Sequence, residues 1–427
     1  MRVEEKAIEL LKDSYICDRC LGRQFGNLLS GYTNEQRGKI IRQFVAFLID
    51  TEEKIDVDIS NFHGIKFRNV KIKDEAPKKC KICKNFFLEK IDDLVKNIVT
   101  KLGKIEFDTF QIGSIVPNDL LRIEEEIWSR IGIEYCEPIK SEFNREIGKR
   151  IERIKKKEFA PKNPGLTIIV NLSNEKLRIE IRSLYIFGGY KKLKRGIPQT
   201  KWICNSCDGK GCKKCKGKGK LYSTSVQEII EKPFLKTAGG RKSSFHGAGR
   251  ADIDVRELDY RPFVIEIEDP MKRKIDLRKI EKQINKTGKV AVKGLRFTSK
   301  DSIRKIKFAK IDKTYLADVE FEKVINRRKL KELKKLEKEP ILQKTPLRVV
   351  HRRADKFRRR LAKKIMWKSK GRKRLQLKIT GESGLYIKEL ITGDDGRTKP
   401  NVSELIENKV KRITLDVIKF HAKKLKI

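Results

Sequence analysis

Apolar residues recur along this chain with two different periods, and the switches between them outline its elements. Helical spacing marks MRVEEKAIELLKDSYICDRC at the N-terminus, then KIIRQFVAFLID, IDDLVKNIVTKLG and DLLRIEEEIWSRIG. Two-residue alternation takes over in GLTIIVNLSNEKLRIEIRSLYIFGGYKKL, which predicts consecutive strands with turns at Ser173-Asn174 and Gly188-Gly189. Further on, SVQEIIEKPFLK and DLRKIEKQINKTG predict helices, and RPFVIEIEDP, VAVKGLRFTS and TYLADVEFE predict strands. RRKLKELKKLEKEP reads as a charged helix or linker. RLQLKITGESGLYIKELITGDDGRTKPNVSELI predicts strand, helix, acidic turn and proline, and VKRITLDVIKFHAKK a closing strand.

This order belongs to the α+β class. It predicts an accessory α/β domain over residues 1–200, a knuckle-like insert over 201–221, and a second domain over 222–427 on a mixed, mostly antiparallel sheet. The chain of 427 residues is long enough for each domain to have its own core. No apolar run reaches the ~18 residues of a membrane span. The first helix lacks the apolar core of a signal peptide, so the expected compartment is the cytoplasm.

Charge narrows the partner. Lys and Arg number 103 against 58 Asp and Glu, a net charge of +45. A basic field of that size attracts polyanions, and nucleic acid is the first candidate. An anionic membrane is the rival, but the charge is spread along a folded chain and is not gathered on one amphipathic helix. No protein partner is evident. From Arg352 to Arg374 there are thirteen Lys/Arg and one acid, interrupted by Phe357, Leu361, Ile365, Met366 and Trp367. The choice there is a solvated helix face or an RNA-facing element, and the one-sided charge favours the second. The heavy use of Lys, Glu and Ile also resembles proteins of heat-loving organisms.

Eight of the nine cysteines form CxxC pairs: Cys17/Cys20, Cys80/Cys83, Cys204/Cys207 and Cys212/Cys215. Thiolates two residues apart suit one tetrahedral metal ion, and a secreted disulfide framework would not favour this spacing. Cys17, Cys20, Cys80 and Cys83 therefore predict one four-sulfur zinc site that closes a long loop. Cys204, Cys207, Cys212 and Cys215, with glycines after each pair, predict a zinc knuckle. The rival reading is reduced, buried thiol pairs. Cys136 stands alone and reads as a small buried residue.

The stretch FHGAGRADIDVRELDYRPF places Asp252 just after Gly249-Arg250, at the mouth of an expected strand. Either this is a hairpin turn with solvated charges, or Asp252 is a reactive carboxylate held by Arg250 and its neighbours. Asp254 would share the strand face and competes for the role. Two other pieces stand out: Tyr315 in KTYLADV, and Tyr386 with Lys388 in ESGLYIKEL.

Gly249-Arg250-Ala251-Asp252 resembles the GRxD motif of pseudouridine synthases. KTYLADV resembles their tyrosine motif, and ESGLYIKEL their SGTYIRxL pattern, with Lys388 where many members carry Arg. These motifs, the N-terminal CxxC pairs, RGIPQTKW, TPLRVVHRRAD and YIKELITGDDGRTKPN together resemble the archaeal tRNA pseudouridine(54/55) synthases over nearly the whole chain. Residues 90–200 resemble the THUMP domains of tRNA-modifying enzymes.

The resemblance implies isomerisation of adjacent uridines in the TΨC loop of tRNA, with the second domain as catalytic domain. The uridine must leave its stack before its C1′–N1 bond is broken and the base rejoined through C5. Asp252 would supply a carboxylate near the sugar, as nucleophile or as base. Tyr315 would give an aromatic platform and a hydroxyl, Tyr386 would lie near the substrate, and Lys388 would keep Asp252 charged. Arg250 would fill the space left by the flipped base or clamp a phosphate. The isomerisation needs no organic cofactor, so zinc would be structural. The rivals are a zinc-bearing RNA-binding adaptor without catalysis, and a tRNA methyltransferase or thiolation enzyme. The latter needs a glycine motif after a strand, and GGRKSSFHGAG lacks its spacing.

Overall fold

The computed structural model describes residues 2–51 and 54–422. Met1 of the first expected helix and Lys423-Lys424 of the last expected strand lie outside the described residues. The chain divides into two compact units, Met1–Arg182 and Ser183–Ile427.

The first unit opens with α1 (Val3–Leu11), which buries Ala7, Leu10 and Leu11. α2 (Asp18–Arg23) begins beside Cys17, and α3 (Asn34–Asp50) is opened by a capping box between Thr33 and Gln36. Then come α4 (Phe86–Glu89), α5 (Ile91–Leu102), β1 (Thr109–Ile115), α6 (Asn118–Ile131), α7 (Ile139–Lys155), β2 (Glu158–Phe159), β3 (Leu166–Asn171) and β4 (Leu177–Ile181). The sheet runs β2-β1-β3-β4, with β1 parallel to β2 and β3. Parallel neighbours need a crossover, which α6 and α7 supply. α7 buries Ile139, Phe143, Ile147 and Ile151 at four-residue spacing. Charges outnumber those four residues in IKSEFNREIGKRIERIK, and the hydrophobic pattern alone did not expose this helix.

The second unit contains β5 (Leu184–Lys192), α8 (Val226–Ala238), β6 (Lys242–Gly247), β7 (Arg256–Glu268), α9 (Leu277–Asn285), β8 (Val290–Thr298), α10 (Asp301–Phe308) and β9 (Lys313–Phe321). It continues through α11 (Lys335–Lys338), β10 (Ile341–Gln343), β11 (Arg358–Arg360), β12 (Ala362–Ser369), β13 (Arg374–Gly381), α12 (Ile387–Thr392), β14 (Thr398–Lys399), α13 (Val402–Leu405) and β15 (Val410–Phe420). The main sheet follows the order β12-β13-β9-β15-β7-β5-β8, with β6 also on β7. Among its described residues only β15 and β7 pair in parallel, so the sheet is mixed and mostly antiparallel. A small sheet, β11-β10-β14, stands beside it in sequence.

β5 takes residues Glu257 to Ile267 of β7 along one edge. β6 and β15 must therefore share the other edge, β6 on Phe263–Glu268 and β15 on Arg256-Glu257. Residues 248–255 leave the sheet in the gap between them.

Four expectations need correction. Gly188-Gly189 is not a turn: β5 runs through it, paired with β7 and β8. A Cβ on Gly188 would lie 2.7 Å from Leu295 Cδ2, and one on Gly189 2.9 Å from Tyr260 Cβ, so the glycines permit close packing. The division falls after Arg182, earlier than residue 200, because β5 is hydrogen-bonded inside the second unit's sheet. RRKLKELKKLEKEP is a 3₁₀ segment, Arg327–Lys334, followed by α11, and it buries Leu330, Leu333 and Leu336. Of its two expected readings, the charged helix holds and the linker does not. The basic run after Arg353 is no helix face; it forms β11 and β12, which bury Ala362 and Ile365 and expose most of their cations. Among the described residues no helix is long and apolar enough to cross a membrane.

Candidate active site

Asp252 does not lie on a strand. β6 ends with Gly247 opposite Phe263, β7 starts at Arg256, and Asp252 sits in the loop between them. Gly249 turns that loop with φ +76°, a conformation that side-chain-bearing residues rarely adopt. Asp252 Oδ1 accepts a hydrogen bond from Arg348 Nη1 at 3.1 Å. Arg348 rides on the 3₁₀ segment Leu347–Arg352 and also donates from Nε to Glu389 Oε1 at 2.6 Å. Glu389 is buried on α12, and its other oxygen has no hydrogen-bond partner among the described residues. One guanidinium thus bridges a loop carboxylate and a buried one, the planar geometry that suits Arg better than Lys.

Tyr386 caps α12 beside this bridge. The Arg348 guanidinium lies 5.9 Å from its ring centre, and Arg353 donates to its hydroxyl. Gln343 fixes its backbone: the buried amide donates to Tyr386 O and accepts from Tyr386 N, both at 2.9 Å.

Tyr315 sits on β9 opposite Ile379 and Val417. Burial pushes its phenol up, against the charge of Arg261, and the carboxylates of Glu257 and Asp252 add to the rise. The hydroxyl therefore keeps its proton at neutral pH.

The expected role of Lys388 is corrected by the geometry. Its Nζ donates to both oxygens of Asp254, at 2.8 and 2.6 Å, while Arg348 is the cation at Asp252. Burial raises the Asp254 carboxyl, but the hydrogen bond and charge of Lys388 outweigh it and hold the group below its usual range. Asp252 and Asp254 share no strand face, because Ile253-Asp254 is a turn. Arg250 is exposed at the loop surface.

Beneath the loop lies a buried polar floor. Glu257 and Arg261, one above the other on β7, form a bidentate pair at 2.7 and 3.1 Å with both side chains nearly inaccessible. Lys192, at the end of β5, donates from Nζ to the carbonyls of Ile197 (2.9 Å), Asp252 (2.7 Å) and Ile253 (2.9 Å). Burial pushes its ammonium down to about 8 despite the attraction of Glu257. Lys313 enters the same floor from β9, and burial together with the Arg261 charge lowers it to about 8 as well.

The cysteines form two clusters, one in each unit: Cys17, Cys20, Cys80 and Cys83, and Cys204, Cys207, Cys212 and Cys215. Within each set the sulfurs lie within 4.8 Å of one another. Cys17 and Cys83 are 3.7 Å apart; Cys204–Cys212 and Cys207–Cys215 are 3.8 Å apart. A metal–sulfur bond of about 2.3 Å gives a tetrahedron edge of about 3.8 Å, so both sets could hold a metal ion. The amides of Cys212 and Gly219 point at Cys215 Sγ, each at 3.2 Å, and despite its desolvation they lower that thiol to about 6.

Residues 185–421 match the family model described as Pus10, C-terminal, and residues 94–171 match the archaeal Pus10 THUMP domain. The chain belongs to the Pus10 family. Curated Pus10 relatives named tRNA pseudouridine synthase Pus10 align along almost their whole length. That of Methanopyrus kandleri is 39% identical over 96% of this chain and 97% of its own. That of Methanothermobacter marburgensis is 40% identical over 98% of each, and that of Methanocaldococcus jannaschii 40% identical over 97% of this chain and 93% of its own. The Pus10 C-terminal match spans the Asp252 loop, its floor and α12. The Pus10 THUMP match covers β1 and β3 with the helices between them.

Within this Pus10 fold the motifs had led to Asp252, Tyr315, Tyr386 and Lys388 but not to the residues that hold them. Arg348 was inside TPLRVVHRRAD and Gln199 inside RGIPQTKW, without any local pattern to single them out. The one available signal was on β7, where Glu257 and Arg261 carry opposite charges on the face that continues as Phe263, Ile265 and Ile267.

Proposed function

We propose that this chain isomerises the adjacent uridines 54 and 55 in the TΨC loop of tRNA to pseudouridine, with Asp252 as the reactive carboxylate. The observation that carries this reading is the 3.1 Å contact of Arg348 with Asp252, on a loop turned by Gly249 and held from below by Lys192. A flipped uridine would stack against an aromatic ring there, with its sugar facing Asp252. Tyr315 contributes the ring and a protonated hydroxyl. Tyr386 stands beside Arg348, Lys388 and Arg250 would meet the incoming backbone phosphates, and the reaction uses no organic cofactor. Zinc is the ion that the two four-cysteine sets suit best, since all-sulfur tetrahedral sites with no open position are structural. The excess of cations supplies the attraction for tRNA.

The test is tritium release from tRNA transcript labelled as [5-³H]uridine, comparing the protein with Asp252→Ala, together with product mapping on tRNAs lacking either uridine. Forming the new bond at C5 must expel that hydrogen. Release by the protein and none by an Asp252→Ala variant that still binds tRNA supports the reading. Tight binding by both with no release would instead favour the RNA-binding adaptor.

A further inference from the structure

The segment that enters the second cysteine knuckle is also the one that holds the Asp252 loop. Besides the two bonds from Lys192 to Asp252 O and Ile253 O, Gly196 N donates to Ile253 O at 2.9 Å, and Arg195 Nη1 to Asp254 O at 2.7 Å. Those contacts grip the far half of the loop. Gln199 grips the near half. Its side-chain Oε1 accepts from Ala251 N at 2.8 Å, and its Nε2 donates to Gly249 O at 3.3 Å. One amide group thus spans Arg250 and satisfies the backbone on both sides of it, immediately before Asp252. The fit is close: a Cβ on Gly247 would meet Gln199 Nε2 at 2.6 Å.

The knuckle begins just after Gln199 and returns to it. Trp202 O accepts from Leu221 N at 2.9 Å, Ile203 bridges to Lys220, and Cys204 N donates to Gly219 O at 3.0 Å. On the way out, Val226 N donates to Pro198 O at 2.9 Å and Gln227 N to Gln199 O at 3.0 Å. The backbone of Pro198-Gln199 is therefore fixed by the chain that has just left the knuckle. Between residues 200 and 224 the buried positions are Cys204, Cys215 and Gly219. With no apolar core there, the four sulfurs and the ion they fit are what close this excursion.

We infer that Gln199 is a positioning residue for the Asp252 loop, and that closure of the Cys204–Cys215 knuckle by its metal holds Gln199 in register. This rests on the reading of Asp252 as the reactive carboxylate. Its consequence is that the knuckle metal governs turnover without touching substrate, so stripping it or oxidising its thiols slows the reaction even where tRNA still binds.

The experiment uses the full chain and three variants: Gln199→Ala, Gln199→Glu, and Cys207→Ser/Cys212→Ser. Metal content, hydrogen exchange of residues 248–255, tRNA affinity and single-turnover tritium release at saturating tRNA are measured on each. Exchange in strands β9 and β15 serves as the control for global unfolding. Expected for Gln199→Ala is about tenfold faster exchange at Ala251, the loss of one hydrogen bond. Its release rate should fall on the order of 10- to 100-fold with tRNA affinity unchanged, as for a reacting group displaced by a fraction of an ångström. Gln199→Glu, which can still accept from Ala251 N, should recover part of both. The cysteine variant should lose one metal ion and reproduce the faster exchange at Ala251. Wild-type exchange and rate in Gln199→Ala would overturn the positioning role. A response to Gln199→Ala but none to the cysteine variant would overturn the link to the knuckle. If no version releases tritium while exchange at Ala251 responds as described, the synthase reading fails and the coupling of loop to knuckle stands.

Discussion

Arg348 donates to Asp252 across 3.1 Å, although the two residues lie 96 positions apart in the chain. The same guanidinium is anchored on the buried Glu389, so its position is set from behind. Arg348→Ala should lower the rate of tritium release at saturating tRNA on the order of 10²-fold, the usual loss when one preorganised charged donor leaves an active site. Arg348→Lys should not restore it, because an ammonium cannot span both carboxylates in one plane. A wild-type rate in either variant would remove Arg348 from the site.

The Lys388–Asp254 pair behaves differently. Asp254 keeps 65% of its side-chain surface exposed, so solvent screens the interaction. A double-mutant cycle with Lys388→Met and Asp254→Asn should give a coupling energy of less than about 1 kcal/mol in urea denaturation. Any change of turnover in Lys388→Met then reports on substrate, not on folding.

Gln343 and Tyr386 exchange two 2.9 Å hydrogen bonds in a buried setting. Gln343→Ala leaves Tyr386 N without its partner, while Tyr386 O keeps the bond from Leu390 N, so stability should fall by about 1–3 kcal/mol. The aromatic ring beside Arg348 should lose its fixed position along with it. Denaturation midpoints and Tyr386 ring resonances check the two effects separately.

Lys192 makes a pH-dependent contribution of unusual sign. Its folded-state value, about 8, lies below the 10.5 expected of a solvated lysine. Between those values the unfolded chain binds the extra proton, so this group's contribution to stability rises with pH across the window, by up to about 3 kcal/mol. Over the same range the ammonium loses one of its three donated hydrogens, two of which go to the loop carbonyls of Asp252 and Ile253, so release of tritium should decline above about pH 8 while stability does not. Lys313 titrates alongside. Lys192→Met should therefore remove only part of the stability rise, and a melting temperature independent of pH in this range would refute the assignment.

Metal analysis should return two zinc ions per chain, one for each four-cysteine set. Cys80→Ser should leave one. It opens the site that ties the start of α2 to the turn before α4, and the melting temperature should fall by about 10 °C, since a structural ion's binding energy is folding energy.

The sequence by itself determined the elements whose cause is local. Periodicity marked α1, α3, α5, α6, α8, α9 and most strands, because one face of each is buried and the other wet. CxxC spacing identified both cysteine quartets, because two sulfurs on one tight turn already point at a common centre. Motif order identified the family and led to Asp252, Tyr315, Tyr386 and Lys388. Other features arose only when distant segments met. β5 looked like part of the first domain until β7 and β8 bracketed it, and Gly188-Gly189 looked like a turn because nothing local shows that Leu295 and Tyr260 crowd the strand. The partner of Asp252 was decided in the same way. Lys388 and Arg348 are both basic residues in suitable motifs, and only the folded chain decides that α12 carries Lys388 to Asp254 while a 3₁₀ turn carries Arg348 to Asp252. Hydrophobic burial has a period that the sequence displays; a hydrogen bond between side chains far apart in the chain depends on where the backbone has already been placed, and that is decided by tertiary structure.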